Sequence, residues 1–131
     1  MGKCLPIVAL LALAMGWAAP ALSQPRWAAV DPNSDGSSPV AWGASETEAR
    51  QRASEACKRL SRTCANGPAA TADMTDVFAV VCCSKPRTGC AASAAATRRE
   101  ALHGLEKMFA EAGYSNCALK HYMSAASGKR Q

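Results

Sequence analysis

Seven of the 131 residues are cysteine, and that count constrains the fold more than any other feature of the chain. Cysteine at this density in a short chain marks a domain held by covalent staples in an oxidising compartment. The seven are not spread evenly. Cys4 stands alone near the start, whereas Cys57, Cys64, Cys82, Cys83, Cys90 and Cys117 occupy the middle and the last third.

The segment around Cys4 does not read as part of a fold. Lys3 supplies a positive charge, and Leu5 to Ala19 is an apolar stretch broken only by Pro6 and Gly16. Ala19-Pro20-Ala21 and Ala21-Leu22-Ser23 then place small residues at the first and third positions, as signal peptidase requires. The pattern predicts a Sec-type secretory signal peptide over residues 1–23, cut before Leu22 or before Gln24. A membrane anchor needs about 18 or more apolar residues, more than this stretch provides. Cys4 precedes the apolar stretch, so it is not placed for lipidation.

Cleavage before Gln24 leaves 131 − 23 = 108 residues, and six cysteines suffice for three disulfides with no spare thiol. Loss of Lys3 takes the net charge from +5 to 14 − 10 = +4. A chain of this length holds one domain, residues 24–131, and excludes a multidomain enzyme. The expected location is periplasmic or secreted, with no membrane span after cleavage.

The remaining sequence reads as one pattern written twice. Trp27-Ala28-Ala29-Val30 and Phe78-Ala79-Val80-Val81 are short apolar strands, each followed by a turn-rich stretch, Asp31 to Gly36 and Ser84 to Arg87. Second strands follow at Pro39 to Ala44 and Gly89 to Ser93. Ser45-Glu46-Thr47-Glu48 and Thr97-Arg98-Arg99-Glu100 are capping boxes that start a helix in each half. Ala49, Ala53, Ala56 and Leu60 form the apolar stripe of the first helix, with Cys57 beside it. Ala101, Leu105, Met108 and Ala112 form that of the second, flanked by Leu102 and Phe109. Spacings agree closely across the halves: 78 − 27 = 51, 97 − 45 = 52 and 117 − 64 = 53. The stretch after Cys64 is a poor strand and reads mostly as loop, with a short edge strand around Ala69 to Ala72, whereas Ala118 to Ala125 alternates better. The expected fold is α+β: a small antiparallel sheet with two amphipathic helices on one face, built from a duplicated strand-strand-helix-strand unit and stapled by disulfides.

Several of these residues also carry a family resemblance. The aromatic-Ala-Ala-Val strand at Trp27, Ala41-Trp42-Gly43-Ala44-Ser45, Thr47-Glu48-Ala49-Arg50, and Ala56-Cys57 with Cys64 nearby resemble the secreted bacterial domain-of-unknown-function 4189 family. The resemblance covers Trp27 to about Cys64 and continues more loosely from Phe78 to Cys117. It implies an exported, disulfide-stabilised domain and brings no catalytic residues with it. A hydrophobic strand between Cys64 and Met74 is missing from the pattern, which leaves the sheet order open.

The cysteines themselves suggest part of their pairing. Cys57 falls near the end of the first helix and Cys64 just beyond it, so a local bridge would pin the helix to the following segment. Cys82 and Cys83 are neighbours on a strand and point to opposite faces. They are expected to take different partners from Cys90 and Cys117. A vicinal Cys82–Cys83 redox pair is the competing reading. No Cys-x-x-Cys pairs occur, which argues against zinc, and neither metal nor cofactor is expected.

Little else points to chemistry. His103 and His121 are the two histidines, and no motif sets a nucleophile or an orienting acid beside either. Arg50, Arg52, Lys58, Arg59 and Arg62 crowd the first helix, but Glu46–Arg50, Glu48–Arg52 and Glu55–Arg59 are four apart and support a solvated helix. The charge left over favours an acidic partner or surface. Nucleic acid would ask for a denser basic face with interleaved aromatics. The expected function is an exported, non-enzymatic binding module for a protein or cell-envelope partner, an inhibitor or immunity-type protein being its sharpest form. Its surface would be the Trp42 region with the loops Asp31 to Ser38 and Asn66 to Asp76. A small envelope hydrolase using His103 or His121, and a secreted effector acting on a host, are the alternatives.

Overall fold

The computed structural model describes residues 26–131; the signal peptide expected over 1–23 lies outside them. The elements run β1 (Trp27–Val30), β2 (Val40–Gly43), α1 (Glu46–Leu60), β3 (Ala69–Thr71), β4 (Val77–Lys85), β5 (Gly89–Ala95), α2 (Arg98–Glu111) and β6 (Ser115–Ser124). Both helices start where a hydroxyl captures an orphan N–H: Ser45 Oγ accepts from Glu48 at 3.1 Å, and Thr97 Oγ1 from Glu100 at 3.2 Å. The Glu48 carboxylate reaches back to the N–H of Ala44, one residue before the cap, at 2.8 Å.

The strands form two three-stranded antiparallel sheets, ordered β2-β1-β3 and β5-β4-β6. Each half is therefore the same strand-strand-helix-strand unit, with its first strand in the centre. Strand register refines the repeat. Trp27 pairs with Gly43 and Val77 with Ala95, each two residues before a helix cap, so the central strands superpose at 77 − 27 = 50. An odd offset such as 51 would turn every side chain to the other face.

The α+β class and the internal repeat stand, whereas the layering differs from one sheet with both helices on a single face. Ala28, Val30 and Val40 of the first sheet pack against Phe78, Val80 and Met123 of the second, so the sheets lie face to face. Ala29 turns outward to Ala49 and Ala53 of α1. Ala79, Val81 and Cys83 turn outward to Ala101, Leu105 and Phe109 of α2. Each helix thus covers the outer face of its own sheet. The physical reason lies in β1 and β4, whose unbroken apolar runs have no polar face to give to water.

The helix stripes shift in the same sense. Ala49, Ala53 and Cys57 are the buried positions of α1, and Ala101, Leu105 and Phe109 those of α2. Leu60 and Met108 are exposed. The halves are also tied to each other, as Trp42 Nε1 donates to Ala125 O at 2.8 Å, and Ala125 is itself held to the second sheet by its N–H donating to Asp76 O at 3.0 Å. Among the described residues no helix is long and apolar enough to cross a membrane.

Candidate functional site

Disulfides join Cys57 to Cys64, Cys82 to Cys90 and Cys83 to Cys117. Cys82 and Cys90 face each other across β4 and β5, and Cys83 and Cys117 across β4 and β6. The neighbouring cysteines of the central strand therefore staple both of its flanks, one on each face. A vicinal Cys82–Cys83 pair does not form.

The first half is built differently. Cys57 leaves the last turns of α1 and bonds Cys64, with Cα atoms 6.0 Å apart. Asn33 lies opposite Cys64 in an isolated antiparallel bridge. Both polar atoms of its side chain are engaged: Oδ1 accepts the N–H of Asp35 at 3.0 Å and of Ser37 at 3.3 Å, and Nδ2 donates to Cys57 Sγ at 3.4 Å. Its own N–H donates to Ser38 Oγ at 3.0 Å. The same residue's carbonyl lies 3.7 Å from Cys82 Sγ, so Asn33 stands between two disulfides. Cys57, Asn33 and Asp31 are all wholly buried.

Asp31 is the anomaly of this cluster. Ser54 Oγ donates to its Oδ2 at 3.2 Å, while Oδ1 is buried without a hydrogen-bond partner. The Asn66 and Gly67 N–H groups draw near the carboxylate without giving Oδ1 a bond of good geometry. Asn66 reaches that place in the left-handed conformation, at φ 59°. Burial pushes the Asp31 carboxyl above the usual 3.8, against the Ser54 hydroxyl, the two N–H groups and the charge of Lys58, which pull it down. A buried carboxylate oxygen left unpaired costs stability and calls for an explanation.

Ligand atoms of Asp31, Cys57 and Cys64 all lie within 4.8 Å of one another. Among the described residues no other three His, Cys, Asp or Glu side chains converge in this way. The two sulfurs are bonded to each other, so they are not thiolates that a metal ion could take.

Two hollows open beside this cluster. One of about 520 Å³ is lined by Ser34, Thr63, Cys64, Gly89, Cys90 and Tyr114, among others, so one cysteine from each of two disulfides meets it. The other, of about 490 Å³, is lined by Asp35, Lys58, Arg59, Leu60, Arg62 and Thr63, among others. Ser34 Oγ donates to Thr63 Oγ1 at 2.8 Å, and Ser61 Oγ donates to Asp35. These bonds tie the β1–β2 loop to the segment closing α1. Comparison with family models, with curated proteins and with solved structures found no match.

The residues singled out in the sequence fall in separate places. His103 is exposed on α2, and His121 is buried on β6 with Nε2 unpartnered. Burial and the nearby Arg130 charge hold the His121 imidazole below its usual 6.5. Neither stands in a cluster with an acid and a nucleophile among the described residues. Trp42 is not a free docking residue: its ring packs against the intersheet core, beside Arg26 at 4.7 Å. The Asp31 to Ser38 loop is likewise anchored rather than free, with Asp31, Asn33 and Ser38 buried. Arg50 and Arg52 pair with Glu46 and Glu48, whereas Glu55 accepts from Gln51. Lys58, Arg59 and Arg62 are in neither ion pair. Asp31 and Asn33 read only as turn residues in sequence. Superposition at the offset of 50 sets them against Val81 and Cys83, and that contrast is the signal that marks them.

Proposed function

We propose that the chain is an exported binding module that takes an acidic protein partner at the end of α1. Support comes chiefly from one observation: exposed Leu60, 59% accessible, sits among Lys58, Arg59 and Arg62 on the rim of a hollow that the Cys57–Cys64 staple holds in shape. Lys58 and Arg59 also complement the carboxyl end of the helix, but that needs neither Arg62 nor an exposed leucine. An apolar anchor ringed by unpaired cations is the arrangement that docks an acidic, partly apolar surface.

Export rests on the signal-peptide pattern and on three disulfides, which persist in oxidising compartments. The periplasm or the extracellular space is the proposed location. The resemblance of Trp27 to Cys64 to the secreted bacterial domain-of-unknown-function 4189 family is part of the same proposal and agrees with an exported stapled domain. Within the binding class, an inhibitor or immunity-type protein against an envelope hydrolase suits the small size and the preformed face. A variant carrying Lys58→Glu, Arg59→Glu and Arg62→Glu is expected to lose the partner that the native protein crosslinks in envelope extract. Unchanged crosslinking, or cleavage of a cell-wall substrate by the pure protein, would overturn the proposal.

A further inference from the structure

The two halves provide a comparison inside one molecule. Under α2 the central strand presents Val81 and Cys83, and the helix presents Phe109. Under α1 the equivalent positions hold Asp31, Asn33 and Cys57, by offsets of 81 − 31 = 50, 83 − 33 = 50 and 109 − 57 = 52. The fold is thus satisfied at these places without a buried carboxylate or amide, and the first half puts Asp31 and Asn33 there instead.

We propose that Cys57–Cys64 is an exchangeable disulfide, and that Asp31 and Asn33 serve its opening and closing by a dithiol. Access and chemistry are divided between the two sulfurs. Cys64 is half-buried and lines the hollow of about 520 Å³, so it is the half of the disulfide that an incoming thiolate approaches. Cys57 is wholly buried and is the leaving group. The attacking thiolate forms a bond to Cys64 Sγ, the Cys57–Cys64 bond breaks, and Cys57 departs with the electron pair. Its thiolate is met by the Asn33 amide, already donating to that sulfur at 3.4 Å, and takes the proton of the Asp31 carboxyl. The gap of up to 4.8 Å is spanned by one water or a small side-chain rotation. The dithiol's second thiol then loses its proton to water and displaces Cys64, which is protonated by water. The dithiol leaves as a disulfide, oxidised by two electrons, and the protein holds two thiols. In the reverse direction the Asp31 carboxylate draws the proton from Cys57 and makes it the nucleophile.

Burial keeps the Asp31 proton available at a higher pH than an exposed carboxyl would, with Lys58 the charged group acting against it. Cys82–Cys90 is the internal control. Cys90 lines the same hollow, yet among the described residues no carboxylate joins that pair at the distance Asp31 keeps from Cys57 and Cys64.

The experiment is reduction of the disulfide-bonded protein by dithiothreitol, quenched by alkylation and read by peptide mass mapping. Cys57–Cys64 is expected to open before Cys82–Cys90. Its rate per dithiothreitol thiolate should rise as pH falls through the Asp31 titration. Where Asp31 is protonated, Asp31→Asn should slow the opening by on the order of a hundredfold and flatten that rise, and Asp31→Val, which copies Val81, should do the same. A variant that merely loosened the fold would open faster, the opposite sign. Equal opening of the two disulfides, a flat profile in the native protein, or a variant as fast as the native protein would overturn the assignment. The proposal goes beyond the docking function, and the assay contains no partner, so each stands or falls alone.

Discussion

Asn33 and Cys83 occupy the same position in the two halves, each on the central chain segment and opposite the cysteine that follows the helix. Cys83 bonds its opposite number, Cys117, whereas Asn33 meets Cys64 only through backbone. Cys64 is thereby free to bond Cys57 on the helix. One unit locks strand to strand, and the other locks helix to loop. The second arrangement frees the end of α1 from the sheet's own pairing and shapes the hollows that surround it.

The disulfides are expected to differ in worth because they close loops of different length. Cys83–Cys117 spans 34 residues and Cys57–Cys64 spans 7. Loop-closure entropy assigns about 4 kcal/mol to the first and about 2 kcal/mol to the second. Guanidinium unfolding of the Cys83→Ala/Cys117→Ala and Cys57→Ala/Cys64→Ala proteins measures both. A larger loss from the shorter loop would show that the stabilisation arises in the native state instead.

The stripe of α2 makes a second contrast. Leu105 is wholly enclosed against β4, whereas Met108, one position from the buried Phe109, is 45% accessible. Leu105→Ala is expected to cost about 3 kcal/mol through lost contact and the cavity left behind. Met108→Ala should stay within about 0.5 kcal/mol. Comparable losses would mean that Met108 is covered in solution.

Much of this fold was legible in the chain. Capping residues Ser45 and Thr97, the central strands and the repeat all rest on local chemistry that spacing reveals. The opposite facing of Cys82 and Cys83 follows from the two-residue period of a strand. The layering was not legible, because short runs such as Trp27-Ala28-Ala29-Val30 look alike whether one face or both are buried. The stripe of α1 differs from the one its spacing predicts for a related reason. Leu60 is the more apolar residue, but Cys57 lies where the helix meets the sheet, and disulfide formation holds it there. Asp31 carries no sequence signal of its own because an Asp-Pro-Asn sequence is ordinary turn chemistry, and only the register of β1 turns it inward beneath α1.

Gly43 ends β2 two residues before the cap of α1, where strand and helix approach closely. A Cβ at Gly43 would stand 2.7 Å from the Ala49 backbone nitrogen and 2.9 Å from the Glu48 side chain. Backbone cannot swing aside as a flexible side chain does, so Gly43→Ala should displace the first turn of α1 and cost about 2 kcal/mol. Gly67→Ala, with nothing within 4 Å of its added carbon, is the matched control and should be nearly neutral. Thermal unfolding of the two variants decides the matter, and equal melting temperatures would refute the clash.

His121 and Asp31 should give the protein opposite responses to acid. Burial, then the Arg130 charge, holds the folded His121 imidazole below 6.5. As pH falls through 6.5 the unfolded chain takes up the proton first, which favours unfolding. The His121 contribution is therefore complete above that pH and is lost on acidification toward its lower folded value. The folded Asp31 carboxyl is raised above 3.8, so the native state binds the extra proton. Its contribution is complete below 3.8 and is lost as pH rises through the folded value. Between neutrality and mild acid the histidine should dominate, and the urea midpoint should fall as pH drops from about 7 to about 5. His121→Leu removes the titrating ring and its unpartnered Nε2, so that fall should flatten. Asp31→Asn should leave the histidine-driven fall in place. The same slope in native and His121→Leu proteins would show that the buried imidazole does not govern acid stability.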